Sequence, residues 1–173
     1  SAGTINDKES YFSMVRVGIA MYGLTPDITH MGTSKELGLR PAGQLRAKLH
    51  LVKVVSKGVP VGYGASAHTP SDTKLGIVAM GYADGIPRTL KTPIEVTIAG
   101  RRYPLIGRVS MDQVTVDLGA ETTIKAGDRA IFFGANGAST ADDWAKAAGT
   151  ISYEILSRIG GRVPRLAGRI NPY

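Results

Sequence analysis

The stretch LRAKLHLVKV, residues 45–54, determines the fold class because its apolar and polar side chains alternate. Leucine or alanine stands at every second position from Leu45 to Leu51, with polar side chains between them. This period of two is that of a β-strand with one buried face and one face in solvent. After Leu51 the alternation moves by one residue to Val52 and Val54, which predicts a bulge or a bend at a barrel corner.

Other parts of the chain continue the β pattern. Residues 94–98 alternate, Ala99-Gly100 can turn the chain, and 102–106 follow, so these segments predict a hairpin. Three further strands are predicted from one alternating segment and two short apolar runs next to glycine: 114–118, 75–80 and 130–133.

Helical patterns are confined to the C-terminal part. Thr140 and Asp143 form a capping-box pattern before an apolar helical face that ends at Gly149. A second stripe with helical spacing runs from Ile151 to Ile159. The sequence therefore predicts a mainly β protein, most simply a closed or partly closed β-barrel with one or two short helices near the C-terminus.

The N-terminal part has a different pattern. Residues 11–24, YFSMVRVGIAMYGL, form a nearly continuous apolar run that predicts a strand buried on both faces. Arg16 lies inside this run, and a buried arginine needs either an ion pair across the core or a ligand with an acceptor atom. Residues 25–43 are polar and turn-rich, which is typical of a linker or a long crossing loop.

Composition excludes several classes of protein. With 43% hydrophobic and 20% charged residues the chain is not globally disordered, and no apolar run reaches the roughly 20 residues of a membrane span. Because cysteine is absent, a disulfide scaffold and a cysteine nucleophile are excluded, and the three scattered histidines predict no metal site. The net charge of +7 permits nucleic acid, an anionic membrane or an anionic cofactor, although its scatter favours a solvated basic surface. The cytosol is the expected compartment.

Four short motifs place polar side chains among or beside glycines: MVRVGI at 14–19, GYG at 62–64, GYADG at 81–85 and RVSMDQ at 108–113. Glycine allows a positive φ and lets the backbone come close to a ligand. Tyr63, between two glycines, either faces a ligand or plugs the end of a strand.

Asp84 and Asp112 allow three interpretations: a carboxylate pair for acid–base chemistry, ligands of a hard cation, or acceptors for turn amides. Their position beside turns favours the last of these.

Taken in order, these motifs resemble the C-terminal part of alanine racemase, a fold-type III enzyme that uses pyridoxal 5'-phosphate. The matching segments are SMVRVGIAMYG, VGYGAS, GYADGIPR, LIGRVSMDQ, TISYEIL and RVPR, which together extend from about Tyr11 to Arg165. The resemblance implies that residues 1–25 are the end of an N-terminal α/β barrel and residues 26–173 are the C-terminal β-domain. It also implies a homodimeric enzyme that interconverts L- and D-alanine by a two-base mechanism.

The resemblance assigns roles at the substrate site. Tyr63 matches the tyrosine that moves the α-proton on the L-alanine face, in the active site of the neighbouring subunit. Met111 matches the residue whose backbone amide holds the substrate carboxylate across the interface. Tyr82 and Asp112 match positions near the substrate entrance.

The resemblance also assigns cofactor contacts. Arg16 matches the arginine that faces the pyridine nitrogen, and the amides of Gly18 and Ile19 match those that hold the phosphate. Tyr153 matches a tyrosine whose hydroxyl binds the same phosphate. Ser1, fifteen residues before Arg16, falls where the family has a phosphate-binding serine. The alternative is that Ser1 is a residue added for expression.

No lysine of the chain has the context of the lysine that carries the cofactor in this family. We therefore expect residues 1–173 alone to be inactive, and we expect no nucleic-acid or membrane partner. The competing hypothesis is a basic β-barrel that binds nucleic acid, which would need exposed aromatic side chains on its strands for base stacking.

Overall fold

The computed structural model describes residues 1–135 and 139–167, which form a sheet domain with an irregular N-terminal segment. The strands are β1 Gln44–Val55, β2 Pro60–Val61, β3 Ala67–His68, β4 Thr73–Val78, β5 Glu95–Ile98, β6 Arg101–Pro104, β7 Val114–Asp117 and β8 Arg129–Gly134. The helices are α1 Ala2–Asn6, α2 Ala141–Ala148 and α3 Ser152–Arg158. None of the helices in the described ranges is long and apolar enough to cross a membrane.

Six strands form one antiparallel sheet in the order β6-β5-β8-β1-β4-β7. The central strand β1 pairs with β8 along its first half and with β4 along its second half. A bridge between Leu105, just after β6, and Val116 in β7 brings the two edges of the sheet together. The sheet is therefore a nearly closed barrel, which confirms the predicted fold class.

The pairing of β1 explains the shift in its sequence pattern. Its register against β4 changes between Leu49 and Leu51, so the predicted bulge is present, and a second irregularity lies between Leu45 and Arg46 against β8. Leu45 and Leu49 are buried inside the barrel, whereas Leu51 and Val54, beyond the bulge, are exposed. Beyond the bulge, Val52 packs against the main core and Val55 is buried in a second apolar cluster, so the irregularity changes which positions of β1 face inward.

Helix α2 packs against strand β8. Thr140 and Asp143 form the predicted capping box, and Gly149 ends the helix with a left-handed backbone. Trp144 is fully buried, its ring centroid lies 5.7 Å from that of Phe132, and its indole Nε1 donates to the Phe132 carbonyl over 2.6 Å. The tryptophan therefore joins helix and sheet through both packing and a satisfied polar group.

The prediction of a doubly buried strand over residues 11–24 is wrong. One 3₁₀ turn, Lys8–Tyr11, ends where this segment begins, a second, Ile19–Tyr22, lies within it, and the chain between them forms neither helix nor strand. Phe12 is 90% and Met14 79% exposed. A buried strand needs neighbours for its backbone hydrogen bonds, and none of the described strands lies beside these residues.

Residues 25–43 form no helix or strand, as the linker prediction requires. The segment is fastened to the domain by Ser34, whose hydroxyl accepts from the Thr25 amide over 2.8 Å and donates to Asp142 at the start of α2 over 2.8 Å. Leu24 and Ile19 join the main core, so the N-terminal segment is anchored at these points.

Candidate functional site

The GYG motif forms an exposed turn. Gly62 and Gly64 adopt φ values of 73° and 71°, which side chains with a Cβ rarely adopt, and Tyr63 between them is 73% exposed. No described residue forms a hydrogen bond with the Tyr63 hydroxyl. The side chain therefore does not plug a strand end, and its phenol is free to meet a molecule outside this chain.

The Tyr63 turn lies against the chain at Arg108. A Cβ on Gly62 would approach the Arg108 amide nitrogen to 3.3 Å, and a Cβ on Gly64 would lie 3.5 Å from the Arg108 guanidinium. A cleft of about 190 Å³ opens here, and Ser66, Arg88 and Arg108 line it. The guanidinium of Arg108 therefore lies beside the turn that carries the exposed phenol.

Two glycine-rich loops lie side by side near the barrel end. The amide of Tyr82 donates to the Ser110 carbonyl over 3.0 Å, and the amide of Ala83 donates to the Met111 carbonyl over 2.9 Å. A Cβ on Gly81 would come within 2.3 Å of the Ser110 carbonyl oxygen, so this close approach requires glycine. The structure therefore brings Tyr82 together with Met111 and its neighbour Asp112.

The two aspartates of these loops share one arginine. Asp112 Oδ1 lies 2.6 Å from Arg162 Nη2, and Asp84 Oδ1 lies 3.5 Å from Arg162 Nε. The hydrogen bond that Arg162 donates to Asp112, followed by the negative charges of Asp84 and Asp112, raises the pKa of Arg162 above its usual value. Asp84 also accepts from the Gly81 amide over 2.9 Å. The turn-acceptor interpretation therefore holds for Asp84, whereas Asp112 serves an ion pair.

Sequence reasoning missed Arg162, although it belongs to a segment that was singled out, RVPR. Its partners are 78 and 50 residues away along the chain, so no local spacing indicates the pairing.

Among the described residues, no three histidine, aspartate or glutamate side chains come together to hold a metal ion.

Ser1, Gly18 and Ile19 come together at the start of the second 3₁₀ turn. The Ser1 hydroxyl accepts from the Ala20 amide over 3.1 Å, and a Cβ on Gly18 would lie 3.1 Å from the same oxygen. The amides of Gly18 and Ile19 donate to no described residue. The Ser1 hydroxyl and the amides of Gly18 and Ile19, here called the N-terminal cradle, are polar groups of the kind that bind anions. Sequence reasoning missed the Ala20 amide, whose hydrogen bond holds Ser1 beside them.

Arg16 and Tyr153 are not joined to this cradle by any hydrogen bond in the described part of the chain. Arg16 is exposed and forms no ion pair there, so of the two alternatives for this arginine the ion pair across the core is not observed. Tyr153 lies in the first turn of α3, half exposed, beside a cleft of about 430 Å³ that Ile28 and Lys146 also line.

The strands lack the features of a nucleic-acid surface. In residues 1–135 and 139–167, the exposed aromatic side chains all lie outside the strands, in turns, loops and α3. Base stacking on a β-surface needs aromatic rings on the exposed strand faces. The basic β-barrel hypothesis is therefore not favoured.

Comparison with known proteins agrees with the sequence motifs. Residues 42–167 match the family model described as alanine racemase, C-terminal domain. The alanine racemase of Streptomyces coelicolor is 47% identical over 168 residues, which are 96% of this chain and 42% of that protein. The alanine racemase of Vibrio vulnificus (strain CMCP6) is 44% identical over 163 residues, 94% of this chain and 44% of that protein.

Solved structures show the same fold. The alanine racemase from D-cycloserine producing Streptomyces lavendulae superposes with a TM-score of 0.86 at 48% identity, covering 98% of this chain and 45% of that chain. The biosynthetic alanine racemase from Pseudomonas aeruginosa superposes with a TM-score of 0.85 at 39% identity, covering 98% of this chain and 46% of that chain. The chain thus spans about two fifths of the length of the curated relatives that it matches.

Proposed function

Because this chain belongs to the alanine racemase C-terminal domain family, we propose that it is the C-terminal part of an enzyme that interconverts L- and D-alanine. The enzyme would be a cytoplasmic homodimer that uses pyridoxal 5'-phosphate and supplies D-alanine for peptidoglycan. In this proposal residues 1–25 complete an N-terminal α/β barrel, and residues 26–173 form the β-domain.

The observation that carries the proposal is the exposed phenol of Tyr63. A base that serves the neighbouring subunit has to project from its own domain without using its hydroxyl at home. Tyr63 meets this requirement, since it is held between two positive-φ glycines and has no hydrogen-bond partner among the described residues. Tyr63 Oη would take the α-proton of L-alanine and return it in the opposite direction.

The two adjoining loops would bind the substrate. The amide of Met111 donates to no described residue, while the Met111 carbonyl is occupied by Ala83. This amide is therefore available to hold the substrate carboxylate. Tyr82 and Asp112 lie in the same pair of loops and would border the entrance.

The N-terminal cradle fits the phosphate of pyridoxal 5'-phosphate. Its donors are the hydroxyl of Ser1 and the free amides of Gly18 and Ile19, and a side chain on Gly18 would crowd the serine oxygen. Tyr153 would add its hydroxyl, and the exposed guanidinium of Arg16 would face the pyridine nitrogen. When bound, the cofactor makes the α-hydrogen acidic by delocalising the electron pair left behind.

A racemase of this kind needs a second base on the opposite face of the substrate. None of the lysines in residues 1–173 has the expected context, so the lysine for the D-alanine face would come from elsewhere in the protein. Residues 1–173 alone would therefore neither attach the cofactor nor racemise alanine.

The experiment is to replace Tyr63 by phenylalanine in the complete protein and to measure racemisation by chiral chromatography. The ring stays while the ionisable oxygen is lost, so we expect a fall of about 10²–10⁴-fold in rate with unchanged folding. Tyr103→Phe, on the half-buried tyrosine of β6, is the matched control and should keep its activity. A wild-type protein without racemase activity would refute the proposed function, and an active Y63F variant would refute the role of Tyr63.

A further inference from the structure

Arg162 connects the C-terminal tail to both loops of the proposed substrate entrance. It follows α3 and the glycine pair 160–161, and its guanidinium reaches two carboxylates on different loops. Nη2 lies 2.6 Å from Asp112 Oδ1, and Nε lies 3.5 Å from Asp84 Oδ1. One planar fork thus spans the two loops, a geometry that lysine cannot reproduce.

The two loops are anchored unequally without this contact. The 81–85 turn is fixed to the end of α3, since the Gly160 amide donates to the Asp84 carbonyl over 3.4 Å and Gly85 packs closely on the Arg158 carbonyl. Asp84 itself has a side chain only 12% exposed. The loop at Ser110–Asp112 is held by two backbone hydrogen bonds to the turn, by one within the loop from the Ser110 amide to the Gln113 carbonyl over 3.0 Å, and by the ion pair of Asp112. Of these contacts, only the two backbone bonds and the ion pair connect it to another part of the fold.

We infer that Arg162 is a positioning residue for the racemase reaction, which holds the Met111 backbone amide in place by tying Asp112 to Asp84. The inference rests on the proposed function, which gives the Met111 amide the substrate carboxylate. Arg162 acts through Asp112, so it is not a catalytic residue.

The Arg162–Asp112 ion pair is exposed to solvent, which distinguishes a positioning role for Arg162 from a contribution to the stability of the fold. The side chains of Arg162 and Asp112 are 57% and 58% exposed, and an ion pair this open to solvent adds little to stability. Loss of the bridge should therefore leave the fold intact and change the loop. A shift of about 1 Å at a binding group is enough to cost up to about 10²-fold in rate.

The test compares Arg162→Gln with Arg158→Gln in the complete protein. Arg158 forms an ion pair of 3.0 Å with Glu154, of similar exposure, within α3, and that pair touches neither loop. For R162Q we expect KM for alanine to rise roughly tenfold with a small change in kcat and a nearly unchanged Tm. Amide hydrogen exchange at Tyr82 and Ala83 should become faster. R158Q should match the wild type in both measurements.

Arg162→Lys keeps the charge but loses the fork, so it should resemble R162Q more than the wild type. The inference is overturned if R162Q leaves KM unchanged in an active enzyme, or if R158Q raises KM equally. If the wild-type protein does not racemise alanine, the proposed function fails separately. In that case faster exchange in R162Q alone would still support the bridge between the loops, and unchanged exchange would overturn it.

Discussion

The N-terminal segment (residues 1–43) and the sheet domain (residues 44–167) both contain many apolar residues, but the sheet domain buries far more of them. In the sheet domain, ladders of backbone hydrogen bonds align apolar side chains toward one interior. In the N-terminal segment Phe12, Met14 and Met21 face solvent, and Ile19 and Leu24 are the large apolar side chains that reach the core. Apolar sequence alone therefore does not produce burial, because each backbone also needs pairing partners.

On the proposed function this difference has a simple explanation. The exposed side chains would meet the rest of an N-terminal barrel, and the sheet domain would present Tyr63 and the entrance loops to a partner subunit. On that proposal the sheet domain would supply most of the core, whereas the N-terminal segment would supply contact surface and the phosphate site.

The largest effect should come from Trp144 in the sheet domain. Trp144→Ala removes a fully buried ring and the donor to the Phe132 carbonyl, so we expect a loss of about 3–5 kcal/mol in the free energy of unfolding. Met14→Ala in the exposed segment should change it by less than about 0.5 kcal/mol. Chemical denaturation measures both, and equal losses would contradict the contrast between the two regions.

A smaller loss of stability is expected when a glycine of the sheet domain is replaced by alanine, compared with a glycine at the border of the N-terminal segment. Gly81→Ala places a Cβ against the Ser110 and Met111 carbonyls, so the entrance loops must separate, at a cost of about 1–3 kcal/mol. Gly43→Ala, at the border of the N-terminal segment, meets nothing within 4 Å and should be nearly neutral. Thermal unfolding and the KM for alanine should change in G81A alone.

Removing residues 1–17 should alter association more than stability. The exposed apolar side chains favour contacts between copies of this chain, so light scattering should show less self-association after truncation. A cut before Thr25 is too long, because it would also remove Ile19 and Leu24 from the core. Unchanged scattering would mean that these side chains do not drive association.

The smallest effect is expected from low pH, which should destabilise the loop at residues 25–43. Hydrogen bonds from His30, first its ring and then its amide, lower the pKa of Asp27, and hydrogen bonds from Thr33 lower that of Glu36. A carboxylate with a lowered folded-state pKa stabilises above its ordinary value and loses this contribution as pH falls through the folded value. The 25–43 loop should therefore loosen below about pH 4, before the sheet, and Asp27→Asn should remove part of the transition. An NMR pH titration of the Thr29 and His30 amides tests this order.

The sheet domain was predictable because its determinants are local. Alternation located β1, β5 and β7, and the capping box at Thr140 together with Gly149 located α2. The structure of the N-terminal segment was not predictable, because a continuous apolar run has no periodicity that distinguishes a buried strand from irregular chain. Nothing in the sequence of residues 2–6 indicated the short helix α1.

The candidate site divides in the same way. The glycines of the GYG and GYADG motifs predicted turns at Tyr63 and at residues 81–85, and the structure contains both turns. The ion pairs of Arg162 and the bond between Ser1 and Ala20 join residues far apart in sequence, so only the fold reveals them. The roles of Tyr63 and Met111 follow from the resemblance and stay predictions.

The most direct test of the central claim is the exchange of the alanine α-hydrogen with deuterated solvent in the complete Y63F protein, followed by NMR on each enantiomer separately. Removal of the phenol oxygen takes away the base on the L face and leaves the opposite face untouched. We predict that the variant still exchanges the α-hydrogen of D-alanine while exchange from L-alanine falls by about 10²-fold or more. Equal exchange from both enantiomers would contradict the assignment of Tyr63 as the base for L-alanine.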